Sequence, residues 1–160
     1  YTLSLHDALP IYVISAQDMY DAVTEEAKNS DIIIKAAAVA DYTPLNVSDN
    51  KIKKKDGDMS IALKRTKDII GTLGEHKKEG QFICGFSMET ENIIANSKDK
   101  LIKKNMDMIV ANNVKVAGAG FGTDTNVVTI ITGEDNIELP MMSKEDVASK
   151  ILDFIMAKCR

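Results

Sequence analysis

Apolar residues follow two different spacings along this chain, and the spacing changes several times. Near the start they recur every four positions, at Met19, Val23 and Ala27. Ser15 and Asp18 precede this stretch in the pattern of a capping box, so the sequence predicts a helix over 15–29. Residues 31–38 form instead a nearly continuous apolar run. Such a run is typical of a strand covered on both faces of a parallel sheet.

The rest of the chain repeats this alternation between strand-sized and helix-sized segments. Further strands are predicted at 59–63, 82–87 and 106–111, and further helices at 67–77 and 90–104. Strands at 126–132 and 136–139 then flank a turn and predict a hairpin, which a helix at 143–157 follows. Strands that alternate with helices indicate right-handed crossovers between parallel strands. We therefore predict a three-layer α/β fold with a Rossmann-like, mostly parallel sheet and an antiparallel hairpin at its edge.

Two segments interrupt the pattern. Residues 1–11 show neither spacing and contain Pro10, so we predict a linker or non-native prefix there and a single domain over 12–160. Residues 41–58 are polar and predict a long loop, which in a compact domain is usually a functional lid or a disordered segment. The lysine-rich run Lys51–Lys55 lies in this loop. Such a run is typical of a solvated surface, but it can also close over a phosphate.

The composition limits the possible functions. A chain of 160 residues with 44% hydrophobic and 28% charged residues is typical of one soluble domain, and its apolar runs are too short for a membrane span. The net charge of -4 argues against a nucleic-acid partner. Cys84 and Cys159 are too few for a disulfide framework or a zinc site. With no visible secretory signal, we predict a cytoplasmic protein.

The carboxyl ends of the predicted strands indicate where a ligand could bind, since open α/β sheets bind ligands there. Three strand ends carry small, aromatic, acidic or amide residues, at Ala36–Asp41, Gly85–Thr90 and Ala111–Asn113. Each has an ordinary structural interpretation, but their convergence on one edge favours a site. Lys100 and Lys104 lie four apart on a predicted helix, where they could bind an anion or simply solubilise the surface.

The sequence contains no Walker loop and no dinucleotide fingerprint. The glycine-rich run Gly118–Gly122 follows a predicted strand without a clear helix behind it. This arrangement argues against a Rossmann dehydrogenase.

Five motifs, in this order, resemble the phosphopantothenate-cysteine ligase domain: AAAVADYTP, KIKKK, ICGFSMET, KNMDMIVANN and GAGFGTDTN. In most bacteria that domain is the carboxyl half of a bifunctional protein of coenzyme A synthesis, whose amino half is a flavin-dependent decarboxylase. The resemblance implies that 4'-phosphopantothenate is joined to cysteine with CTP and Mg²⁺ through an acyl-cytidylate. It also implies a homodimer, with FMN confined to the decarboxylase half.

The resemblance assigns roles to individual residues. Lys51 matches a catalytic position, and Asn112 matches a substrate-binding position. The implied nucleotide-binding set is Ala36, Ala37, Asp41, Lys51, Asp68, Ile69, Phe86, Lys100 and Lys104. Asn113 stands where the family usually has Asp, and the resemblance assigns no metal ligand.

Two alternatives to an active ligase remain open. One is a nucleotide-binding α/β module without ligase activity. The other is an inactive fragment, because the resemblance implies that the opening strand, glycine-rich turn and helix of the domain, together with the flavoprotein half, are missing from this chain.

Overall fold

A computed structural model of the chain describes residues 9–48, 50–53, 57–89, 91–113, 116 and 122–159. The helices are α1 (Ala16–Glu26), α2 (Ile69–Glu75), α3 (Ile93–Lys103) and α4 (Lys144–Lys158). The strands are β1 (Ile32–Lys35), β2 (Tyr42–Pro44), β3 (Leu63–Arg65), β4 (Phe82–Glu89), β5 (Met108–Asn113), β6 (Thr125–Asn126), β7 (Val128–Thr132), β8 (Asn136–Glu138) and β9 (Met142–Ser143).

Five of these strands form the central sheet, in the order β1-β4-β5-β7-β8. The first three are parallel, and β7 and β8 complete the sheet as an antiparallel hairpin. Two short antiparallel ribbons, β2–β3 and β6–β9, lie outside it. The predicted α/β fold with an antiparallel edge hairpin is therefore confirmed.

Apolar side chains on both faces of the sheet hold three layers together. On one face, sheet residues pack with α1, α2 and α3 in a cluster that includes Leu73, Ile83, Leu101, Ile109 and Ile131. On the other face, sheet residues pack with α4 in a cluster that includes Cys84, Met108, Val110, Val147 and Ile151. Successive strand residues alternate between the two clusters, as the pleat of a strand covered on both faces requires.

Two helices, α1 and α4, begin directly after the serine at which the sequence predicted their start. The Ser15 hydroxyl accepts a hydrogen bond from the Asp18 N–H at 3.1 Å, and the Asp18 carboxylate accepts one from the Ser15 N–H at 2.9 Å. Ser143 caps α4 in a similar way, accepting from the Asp146 N–H at 3.0 Å. Within the described part of the chain, no helix has the length and apolar character needed to cross a membrane.

Two predicted strands differ from the structure. The first ends at Lys35 instead of continuing through 38, so residues 36–40 leave the sheet without regular structure. The strand predicted at 59–63 differs from the structure: a strand begins only at Leu63, as β3, and it pairs with β2, which lies in the segment predicted to be a loop, and not with the central sheet. Of the alternating residues Met59, Ile61 and Leu63, only Leu63 belongs to a strand, and all three are 57–69% exposed, so the alternation does not mark a buried strand.

Candidate functional site

A cavity of about 290 Å³ lies beyond the carboxyl end of β1 and beside β4. Three of its residues, Lys35, Gly85 and Ile109, are aligned side by side by the strand register. They form a row across three parallel strands. The rest of the lining comes from the segment after β1, the start of α2, β4 and the end of α3: Val39, Asp41, residues 66–70, Phe86, Lys100, Lys104 and Met106. For β1 the position agrees with the rule that open α/β sheets bind ligands beyond the carboxyl ends of their strands, whereas Gly85 and Ile109 lie within β4 and β5.

Six residues of the predicted nucleotide-binding set line this cavity. They are Asp41, Asp68, Ile69, Phe86, Lys100 and Lys104. These residues come from four separate parts of the chain, and the fold brings them together. Phe86 also packs against the hydrophobic cluster on the α4 face.

Asp68 and Lys104 form an ion pair at the cavity wall. The Lys104 Nζ lies 2.9 Å from Asp68 Oδ2, and Asp68 Oδ1 accepts the Gly71 N–H at 3.1 Å as the cap of α2. Burial acts to raise the pKa of Asp68, but the hydrogen bonds from Lys104 and Gly71 outweigh it and hold the pKa below its ordinary value of 3.8. The carboxylate is therefore ionised at neutral pH and fixes the Lys104 ammonium in place.

The backbone at Lys104 is held by a close contact with α2. A Cβ placed on Gly74 would lie 1.9 Å from the Lys104 carbonyl oxygen, so only glycine allows this approach. The Asn105 side-chain amide donates to the Gly74 carbonyl at 2.9 Å from the same turn. Asn105 adopts a positive φ of 47° there. The position of Lys104 thus depends on the packing of α2 against the end of α3.

Lys35 is a cavity residue that sequence reasoning missed. It is half-buried at the end of β1 and donates to the Ala37 carbonyl at 3.1 Å. Burial lowers the pKa of Lys35, and repulsion from Lys104 lowers it further. Attraction to Asp68 and Asp41 opposes both effects. The available signal was its position, since it is the one charged residue within the apolar run at 32–40.

Thr66 and Lys67 also line the cavity and were not predicted. The Thr66 hydroxyl donates to the Ala40 carbonyl at 2.7 Å, and its N–H donates to the Asp41 carbonyl at 3.0 Å. These bonds hold the segment carrying Asp41 against the start of α2. The Lys67 ammonium lies 4.3 Å from the centroid of the Tyr20 ring, a cation–π distance.

Four residues of the predicted site lie elsewhere. Ala36 and Ala37 line a second cavity of about 430 Å³ beside β1 and α1. Lys51 is exposed and does not line the first cavity. Asn112 lies on β5, where its side-chain oxygen accepts from the Asn126 amide at 2.8 Å. Residues 54–55 of the lysine-rich run and 118–121 of the glycine-rich run lie outside the described residues.

The charge of the cavity suits an anionic ligand. Four lysines and two aspartates line it, and one of the aspartates is already paired with a lysine. Ammonium groups in a partly desolvated pocket are well placed to bind phosphate oxygens. The described residues contain no cluster of three or more histidine, cysteine or acidic side chains that would form a metal cage.

Comparison with known proteins identifies relatives of the chain. Residues 5–159 match a family model described as the DNA/pantothenate metabolism flavoprotein C-terminal domain. Over 148 residues the chain is 54% identical to the coenzyme A biosynthesis bifunctional protein CoaBC of Bacillus subtilis, covering 92% of this chain and 36% of the relative. The chain therefore spans little more than a third of that relative's length.

Solved structures share the fold. A crystal structure of the C-terminal domain of a CoaBC protein is 42% identical, with a TM-score of 0.76, and the match covers 95% of this chain and 68% of that one. A Cab2 mutant in complex with phosphopantothenate-cysteine has a TM-score of 0.73 at 18% identity, covering 96% of this chain and 53% of that one. The second likeness concerns the fold alone.

Proposed function

Because the chain belongs to the family of DNA/pantothenate metabolism flavoprotein C-terminal domains, whose members include the ligase half of CoaBC, we propose that it serves coenzyme A biosynthesis as a phosphopantothenate-cysteine ligase. The proposal places this activity in a longer natural protein. The observation that carries it is the lysine-lined cavity, in which six residues of the implied nucleotide-binding set meet.

The proposed reaction has two steps. A carboxylate oxygen of 4'-phosphopantothenate attacks the α-phosphorus of CTP, and the bond to pyrophosphate breaks to leave an acyl-cytidylate. The cysteine amine then attacks the acyl carbon, and CMP leaves. The first step brings two anions together, so positive charge must offset their repulsion before a bond can form.

We assign the offsetting positive charge to three lysines, which act on different phosphates. Lys100 and Lys104 line the cavity, where they would bind the outer phosphates of CTP. Lys51 lies outside the cavity lining, and we assign it to the phosphoryl oxygens in the transition state. Phe86 and Ile69 would contact the nucleotide from the sheet and from α2, and Asn112 would contact the second substrate. Ala36 and Ala37, at the exit of β1, would border the nucleotide through their backbone.

Mg²⁺ fits this site as an ion carried by the triphosphate. The cavity offers the carboxylate of Asp41 and the ion-paired carboxylate of Asp68, which matches the one or two carboxylates that Mg²⁺ takes beside substrate phosphates. When bound, the ion would offset the negative charge of the phosphates.

A chimaera tests the proposal. In it, this chain replaces the matching segment of the Bacillus subtilis relative, with the unmodified relative as the control. We expect pyrophosphate release that requires CTP and phosphopantothenate, and an amide product that also requires cysteine. A folded chimaera that binds CTP but releases no pyrophosphate, while the relative does, would overturn the ligase proposal.

One observation favours a second candidate function, a nucleotide-binding module without ligase activity. Lys51, the implied catalytic residue, is exposed and outside the cavity lining. In this candidate, calorimetry on the chimaera would detect CTP binding, and the addition of phosphopantothenate would produce no turnover.

A further inference from the structure

We propose that Lys35 is a third phosphate-binding lysine of the cavity and contacts the same anion as Lys104. The inference rests on the proposed function for the identity of the nucleotide, but not for the presence of an anion site. It assigns a role to a residue that lies outside all five sequence motifs.

The register of the sheet places Lys35 within the cavity. Lys35 is the last residue of β1 and lies opposite Gly85 of β4, which in turn lies opposite Ile109 of β5. All three line the cavity. Because strand residues two apart share a face, Lys35 lies on the same face as Ile33, which packs against the cluster under α2 and α3. The side chain therefore emerges on the side of the sheet where Lys104 ends α3.

The hydrogen bonding of Lys35 leaves donors for a ligand. Among the described residues, its ammonium makes one hydrogen bond, to the Ala37 carbonyl at 3.1 Å. An ammonium has three N–H donors, and the bond to the Ala37 carbonyl takes one of them, which leaves two for a ligand. The bond also fixes the end of a flexible side chain, which reduces the entropy lost when a ligand is bound.

The charges around Lys35 favour an anion. Lys104 repels it, and Asp41 and Asp68 attract it. Asp68 already accepts hydrogen bonds from Lys104 and from the Gly71 N–H, so its charge is shared. Burial and the repulsion from Lys104 lower the pKa of Lys35, and the two aspartates offset only part of this effect. Groups with pKa values perturbed in this way cluster at functional sites. A phosphate between Lys35 and Lys104 would remove the repulsion and replace the lost hydration.

A purely structural role makes a different prediction. If Lys35 only stabilises the exit of β1 through the Ala37 carbonyl, its replacement would affect unfolding but not anion binding. Lys35→Gln separates the two roles, because the glutamine amide can still donate a hydrogen bond while the charge is lost. Lys35→Arg keeps the charge. Lys103→Gln is the matched control, since Lys103 is exposed on α3 and does not line the cavity.

Calorimetric titration of the 160-residue chain with CTP, CMP and inorganic triphosphate provides the test. We expect K35Q to bind CTP and triphosphate about tenfold more weakly, equivalent to about 1.4 kcal/mol, and CMP with less than about a twofold change. K35R should retain most of the affinity, and K103Q should match the wild type. Thermal unfolding of each variant checks that it folds.

Two results would overturn the inference: K35Q binding triphosphate as tightly as wild type, or wild type binding no triphosphate at all. A failure of the proposed ligase function would give a different set of results. In that case triphosphate binds in a manner that depends on Lys35, while the chimaera releases no pyrophosphate from CTP.

Discussion

At the scale of single residues, Asp68 serves both the fold and the candidate site. It caps α2 and forms the ion pair with Lys104. Asn and Asp are similar helix caps, so Asp68→Asn removes the charge while it keeps the capping hydrogen bond. The substitution therefore isolates the electrostatic role of this side chain.

We expect Asp68→Asn to remove part of the acid sensitivity of the protein. The folded-state pKa of Asp68 lies below its unfolded value, so its stabilising contribution is fully present above the unfolded pKa. The contribution is lost as the pH falls through the folded pKa. Because the carboxylate is about half exposed, at 56%, the loss at neutral pH should stay below about 1 kcal/mol.

Urea unfolding at neutral pH and at several values between about pH 5 and pH 2 measures this effect. Asp99→Asn is the control, since Asp99 is exposed on α3. The stability difference between wild type and D68N should shrink towards acid pH. A difference that stays constant over this range would contradict the role given to the charge.

A second residue-scale prediction concerns Lys51. In the chimaera, Lys51→Gln should abolish pyrophosphate release and leave CTP affinity within about twofold, because a residue that acts in the transition state changes turnover and not ground-state binding. Its position outside the cavity lining agrees with little contribution to binding. Lys53→Gln, another exposed lysine of the same run, is the control. Normal turnover in K51Q would show that the run is only a solvated surface.

The sequence led to some of the residues that line the cavity, and it missed a residue whose position depends on strand register. Asp41 lies between β1 and β2, Asp68 caps α2 and Phe86 lies within β4, and all three line one cavity. Lys35 was missed because its neighbour Gly85 lies fifty positions away in the chain, and only the β1–β4 pairing brings the two together. In the hydrophobic pattern of the sequence, Lys35 is only one polar residue in an apolar run.

At the scale of elements, the last turns of α3 present two lysines to the cavity. Lys100 and Lys104 lie four apart and both line it. The Lys100→Gln and Lys104→Gln double variant should weaken CTP binding about tenfold or more and CMP binding much less, because the lost contacts are to the outer phosphates. Replacing Lys104 also leaves the Asp68 charge unpaired, which adds repulsion towards an anion.

Calorimetry with both nucleotides measures this prediction, and Lys103→Gln on the same helix is the control. Basic residues near a helix carboxyl end interact favourably with its dipole, so a small loss of stability is expected in all variants. Equal affinity losses for CTP and CMP, or no loss at all, would leave α3 with a structural role alone.

Elements with strong local signals were predicted well, and elements defined by pairing were not. The capping box of Ser15 and Asp18 and the buried runs of β4 and β5 come from short stretches of sequence, and the structure contains them. The β2–β3 ribbon requires residues about twenty positions apart to pair. Its residues are largely exposed, and Arg65 lies over the Tyr42 ring at 5.6 Å, so no hydrophobic period could reveal it.

At the scale of the whole molecule, the edge of β1 that no described strand pairs with bears on what this chain does alone. Within the described residues β1 pairs with β4 alone, and an apolar cavity of about 430 Å³ lies along it. We expect the purified 160-residue chain to lack ligase turnover, because an unpaired edge beside the proposed site leaves the substrate pocket incomplete.

The pyrophosphate assay on the chain, with the chimaera beside it, tests this expectation. Turnover by the chain equal to that of the chimaera would show that the edge of β1 needs no neighbour. The fold class itself was predictable at this scale, because alternating strand-sized and helix-sized runs constrain an α/β sheet whatever the exact pairing.

The contact between Gly74 and the Lys104 carbonyl has a consequence for how mutations in this domain should be interpreted. Gly74 lies on α2 and does not line the cavity, yet any side chain there would displace the end of α3, and Lys104 with it, from its position at the cavity. In a saturation screen scored by growth, position 74 would therefore resemble a catalytic position, intolerant of every replacement. Its intolerance would reflect backbone packing, and only a binding assay on a folded variant would tell the two causes apart.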